Sequence, residues 1–172
     1  MTRILALPML LLAVLVTGCG LHPLYADGRG GAVSAGLSAI EVAPIPERAG
    51  WLVRNALVDR LHRRSSTETA YRLEVELDDD LTGFGIRGDS ATTRERRTLR
   101  ARYRLVSAAT GETLLDATAG ADSGIDVVSS EYATVAAEQT ATERLAMVLA
   151  DQIVARLGLF VSRQSASGPV SQ

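Results

Sequence analysis

The chain has 172 residues, with 18 Lys and Arg against 20 Asp and Glu, so its formal net charge is −2. That balance argues against a general nucleic-acid binder, and 4% aromatic residues do not support a platform for stacking bases or sugars. A single cysteine rules out an intramolecular disulfide, and with only two histidines beside it a metal site of the zinc type is not supported.

Arg3 is followed by an apolar run from Ile4 to Val16, the layout of a secretory signal peptide and shorter than the about 20 residues a membrane-spanning helix needs. The run closes on Val16-Thr17-Gly18-Cys19, which resembles a bacterial lipobox. That resemblance implies cleavage between Gly18 and Cys19, with a diacylglycerol and an N-acyl chain on Cys19 and no other cofactor. At about 0.8 kcal/mol per buried methylene, three acyl chains make release from the membrane negligible. Gly20 stands where an aspartate would retain a lipoprotein at the inner membrane, so the outer membrane is implied.

The expected organisation is a signal peptide over residues 1–18, a lipidated N-terminus and flexible tether over 19–36, one domain over 37–161 and a disordered tail over 162–172. Ala26 to Gly36 is rich in Gly, Ala and Ser, and Ser162 to Gln172 is polar, which motivates both outer assignments. Loss of Arg3 leaves 17 basic residues against 20 acidic ones, a net charge of −3.

Leu37 to Val42 predicts a short strand stopped by Pro44 and Pro46. From Glu47 the period changes: Val53, Leu57 and Leu61 recur at helical spacing, predicting an amphipathic helix that ends near Arg64. Tyr71, Leu73, Val75 and Leu77 then alternate with Arg72, Glu74, Glu76 and Asp78, and Leu99, Ala101, Tyr103 and Leu105 alternate with Arg100, Arg102 and Arg104. Period two of this kind marks half-buried strands. Thr110-Gly111 predicts a turn, and Thr113 to Ala121 a weaker strand.

Ser129 or Ser130 is placed to cap a last helix, with Glu131 in its first turn. Tyr132, Val135, Gln139, Thr142, Ala146, Leu149, Ile153 and Leu157 trace one face of that helix, and Gly158 is expected to stop it. The order β-α-β-β-β-α predicts an α+β two-layer sandwich: a four-stranded, mainly antiparallel sheet with two helices packed on one face.

Sites for chemistry are poorly supported. Gly83-Phe84-Gly85-Ile86-Arg87-Gly88 matches G-x-G-x-x-G, but no βαβ unit surrounds it, so these glycines are read as hairpin-loop conformers. His22 lies beside the lipid and His62 near a helix end, no nucleophile elbow exists, and no catalytic residue is assigned. Asp78, Asp79 and Asp80 point to alternating faces of a strand and read as a solvated strand end, not a cation site.

Arg94, Arg96, Arg100, Arg102 and Arg104, with Thr98 among them, share one parity and so project from one sheet face, on which adjacent positions lie about 6.6 to 6.8 Å apart. Two uses are open. The ladder can engage phosphates or carboxylates of a ligand, or it can pair internally with Glu74, Glu76 and Asp78 on a neighbouring strand.

Five segments carry a resemblance: Gly18-Cys19-Gly20-Leu21-His22-Pro23-Leu24-Tyr25, Leu99 to Leu105, Thr110-Gly111-Glu112, Ser130 to Thr134, and Ala150-Asp151-Gln152-Ile153. In order and spacing they resemble the LptE family of outer-membrane lipopolysaccharide-assembly lipoproteins in its alphaproteobacterial form. The resemblance implies a non-enzymatic partner that plugs the LptD β-barrel, contacts lipopolysaccharide and is held to the membrane by its lipid anchor. An accessory lipoprotein of a lipid-importing ABC-type transporter is the alternative, since such proteins also join a lipobox to a small α/β fold.

Overall fold

A computed structural model describes residues 31–61, 68–86 and 92–167. The elements run α1 (Ala32–Ser38), β1 (Ile40–Val42), α2 (Glu47–Leu61), β2 (Tyr71–Ile86), β3 (Thr92–Ser107), β4 (Thr113–Asp126) and α3 (Glu131–Ser167). The four strands form one sheet in the order β1-β2-β3-β4. β1 pairs parallel to β2, and β2, β3 and β4 form an antiparallel meander. This is the expected α+β sandwich, with Gly111 at positive φ in the β3–β4 turn, where no Cβ hinders the left-handed conformation.

The alternation along the strands decides which face is covered. Leu73, Leu99 and Leu105 are fully buried under Val53 and Leu57 of α2 and Leu149, Ile153 and Leu157 of α3. Each such Leu or Ile contributes about 1.5–3 kcal/mol relative to exposure. The opposite face, with Arg94, Arg96, Arg100 and Arg102, is left exposed. Although α3 is long and apolar enough to cross a membrane (mean hydropathy 1.6), half of its apolar window is buried, so it serves as a core helix.

Several expectations are corrected. Residues 32–36, expected in the flexible tether, belong to α1, and this shortens the strand expected over Leu37 to Val42 to Ile40–Val42. The described residues thus form three helices and not two. Leu37 is buried in the core and Gly36 lies against Val161, so α1 is held by packing on the far end of α3. The last helix continues through Gly158 to Ser167, taking in residues 162–167 of the expected tail. Here burial of Leu157 and Val161 on either side outweighs the about 1 kcal/mol that glycine costs within a helix.

Ser130 is the residue that caps α3, accepting from the Ala133 N–H at 3.4 Å. The inner stripe of that helix is shifted at its start: Tyr132 is 85% exposed, Val135 and Gln139 are exposed, and Thr134, Ala141 and Leu145 face inward. Gly83 and Gly85 belong to β2 and not to the loop, with Gly85 at positive φ. Cys19, His22, residues 62–64 of the expected helix and Gly88 lie outside the described residues.

Candidate functional site

Because β2 and β3 pair without a break, parity on one strand translates directly into parity on the next. Arg94, Arg96, Arg100, Arg102 and Arg104 stand on the open face, opposite Phe84, Thr82, Asp78, Glu76 and Glu74 of β2. On the other side, β4 places Asp126, Asp122 and Asp116 on the same face. The structure therefore brings all five predicted arginines into one row between two acidic borders.

Most rungs are internally paired, but chiefly with β4 and only partly with β2. Arg102 donates from Nε and Nη2 to both Asp116 oxygens, at 3.1 and 2.7 Å. That hydrogen bond raises the Arg102 pKa and holds the Asp116 carboxyl below the usual carboxylate range. Arg94 meets Asp126 at 3.0 Å, and Arg96 reaches Asp122 loosely at 3.9 Å while its guanidinium lies 5.5 Å from the Phe84 ring centroid. Arg104 lies 3.5 Å from Glu74 and 3.3 Å from Glu76.

Arg100 is the exception. Among the described residues no carboxylate lies within ion-pair distance of it, although Asp78 is its register partner. Across from it on β4 is Gly120, and a Cβ there would sit 3.6 Å from Arg100 Cγ. The missing side chain helps to leave an open depression of about 550 Å³, bordered by Glu76, Asp78, Arg100, Arg102, Thr118 and Gly120. Its charged lining is mixed, with Arg100 and Arg102 beside Glu76 and Asp78, and within it Arg100 offers a guanidinium fork, a group suited to planar or tetrahedral oxyanions.

The partners Asp116, Asp122 and Asp126 escaped the sequence reading. Their signal was present, since the three share one parity within β4, but the weak apolar alternation of that strand concealed how far it extends. Asp79 does not belong to a solvated strand end: it faces the helices, beside Arg97, while Asp78 and Asp80 stay on the open side. Asp80 accepts a hydrogen bond from the Thr82 hydroxyl.

Comparison with known proteins fits this architecture. The model of the family LptE, Lipopolysaccharide-assembly, matches residues 37–157. A crystal structure of a candidate lipoprotein from Caulobacter crescentus is similar at TM-score 0.66 and 29% identity, covering 78% of this chain and 98% of its own. Rare lipoprotein B from Shewanella oneidensis shares the fold at TM-score 0.50 and 8% identity, over 76% of this chain and 94% of its own. A minor lipoprotein from Acinetobacter baumannii does so at TM-score 0.53 and 15% identity, over 70% and 88%. No curated protein matches the chain in sequence.

Proposed function

The chain belongs to the LptE lipopolysaccharide-assembly family, and on that premise we propose that it works at the outer membrane, anchored through acylated Cys19 and seated as a plug in an LptD-type β-barrel, where it contacts lipopolysaccharide. The observation that carries the contact is Arg100, which has no carboxylate partner among the described residues in a row of otherwise engaged arginines and borders the depression beside Gly120. Lipopolysaccharide carries phosphates and acidic sugars, and a guanidinium fork binds such groups by charge-assisted hydrogen bonds. Arg102 and Arg104 follow it along the same face of β3 and extend the contact to neighbouring anionic groups.

The body suits this role. A sandwich whose exposed sheet face is charged and largely ion-paired matches the polar, water-filled interior of a large barrel, and a lipid anchor removes any need for a spanning helix. No step of covalent chemistry is assigned to the chain.

Pull-down from detergent-solubilised outer membrane tests the partnership: a large barrel protein is expected to co-purify, and transporter subunits in its place would overturn it. Depletion tests the role, with lipopolysaccharide expected to stall in the periplasm. Normal surface lipopolysaccharide after depletion would refute the assignment.

A further inference from the structure

We propose that the outer edge of β2 from Leu77 to Gly83 is a docking site for an extended segment of a partner protein, which adds to the sheet as a further strand with basic side chains at alternate positions. This goes beyond lipopolysaccharide contact and does not depend on it.

β1 covers only the start of this edge, pairing Ile40–Val42 with Tyr71–Leu73. One further bond follows, from the Ala43 N–H to the Leu73 carbonyl, before Pro44 and Pro46 end the pairing. The Tyr71 N–H and the Leu73 carbonyl both bond on the β1 side, so odd-numbered residues of β2 aim their backbone groups outward. The β2–β3 register runs unbroken from Tyr71 to Phe84, so Leu77, Asp79, Leu81 and Gly83 keep that orientation. No described strand takes up their N–H and C=O groups. The stretch contains no Pro, Lys or bulge, and its only guards are the three aspartates, which repel an acidic strand but not a basic one.

The other edge of the sheet is treated differently. The Gln152 side-chain amide on α3 folds over β4, accepting from the Gly120 N–H at 3.4 Å and donating to the Gly120 carbonyl at 3.2 Å. The Asp side chains of β4 are already engaged by arginines. Among the described residues, the β4 edge is plugged at Gly120 from within the chain, whereas the β2 edge from Leu77 to Gly83 is bare.

Charge selects the occupant. Asp78 and Asp80 line the open-face side of this edge with no arginine within ion-pair distance among the described residues, and Glu76 beside them, although 3.3 Å from Arg104, keeps a side chain that is 69% exposed. A second copy of this chain pairing through the same edge would set these carboxylates against each other, which is unfavourable. A strand with Lys or Arg at every second residue complements them, and an apolar residue on its other face covers Leu81, which is 41% exposed.

The probe is a synthetic peptide of alternating Lys and Val, with a Glu-for-Lys peptide as control, added to the full chain. The Lys peptide is expected to slow amide exchange at Leu77, Asp79, Leu81 and Gly83 at least tenfold, leaving Thr118 and Asp122 of β4 unchanged, and the Glu peptide is expected to do neither. Leu81→Pro removes an outward donor while sparing the β3 ladder, and should weaken binding at least tenfold. Should that variant not fold, Asp78→Asn with Asp80→Asn, which leaves the backbone intact, is expected to weaken it as well. Undiminished binding by the Asn variant, protection on β4, or a peptide-free dimer protecting the same amides would overturn the proposal.

Discussion

Arg97 and Asp79 form the one ion pair of the described sheet that faces the helices: Arg97 donates from Nε and Nη2 to the two Asp79 carboxylate oxygens at 2.8 and 2.6 Å. Their side chains are only 20% and 15% exposed. That hydrogen bonding is the main reason the Arg97 pKa is raised, with desolvation opposing it and Glu138 adding a smaller attraction. Asp79→Ala would strand the guanidinium in a partly dry layer, at a cost of about 2–3 kcal/mol. Urea titration should show this loss, and Asp79→Leu combined with Arg97→Leu should recover most of it. A double variant as unstable as the single one would mean that the pair itself, and not the stranded charge, carries the stability.

Stability should also fall in acid through the brace between the two main helices. Arg60 on α2 donates from Nε and Nη2 to Asp151 on α3 at 2.5 and 3.3 Å, and its Nη1 donates to the Ala56 carbonyl at 3.0 Å. The hydrogen bond from Arg60 holds the Asp151 carboxyl below its ordinary value. A carboxyl depressed on folding stabilises the protein above its unfolded pKa of about 3.9, and the stabilisation is lost as the pH falls through that value to the folded pKa. Because the Asp151 side chain is 65% exposed, solvent screening limits the step to about 0.5–1 kcal/mol. Asp151→Asn should remove it, read as a narrowing stability difference between the two proteins as the pH drops. A difference independent of pH would exclude the brace as its source.

Period two made the sheet legible, because alternation is a local property that survives into the fold: Leu73, Val75, Leu99, Ala101, Tyr103 and Leu105 are all buried. The same rule set the five arginines on one face but could not say which neighbouring strand supplies their counter-charges. It also grouped Asp79 with its neighbours, since partnership with Arg97 depends on register. Helical segments were read less well where tertiary contact decides. A seven-residue helix such as α1 is far below the length at which local propensity sustains it, so its existence depends on Leu37 and Gly36 meeting distant residues. The phase of α3 near Tyr132 and its passage through Gly158 are long-range outcomes of the same kind.

Gly36 offers a direct test of that docking. A Cβ added there would collide with Cγ1 of Val161 on α3. Gly36→Ala should therefore cost about 1–3 kcal/mol by overpacking, despite the better intrinsic helix propensity of alanine. Shortening the opposing side chain with Val161→Ala should rescue part of the loss. A Gly36→Ala protein with unchanged or raised melting temperature would show that α1 yields without cost.

Arg100 and Arg102 separate ligand contact from internal pairing. Arg100 has no described carboxylate partner to lose, so Arg100→Ala should change stability by no more than about 0.5 kcal/mol. A charge-assisted contact is worth about 1.5–3 kcal/mol, which corresponds to a loss of lipopolysaccharide affinity of about tenfold or more. Arg100→Lys keeps the charge without the fork and should fall between the two. Arg102→Ala acts on a different group: with its hydrogen-bond donor gone, the Asp116 carboxyl should titrate nearer the ordinary range, visible by NMR. The variant also removes one positive charge beside the depression and leaves that of Asp116 uncompensated, so lipopolysaccharide affinity should be lower and should fall less steeply with added salt than in the parent protein. Unchanged affinity and salt dependence in both Ala variants would leave the arginine row a purely internal lattice, because neither the unpaired guanidinium nor the paired one would then be sensed by the ligand.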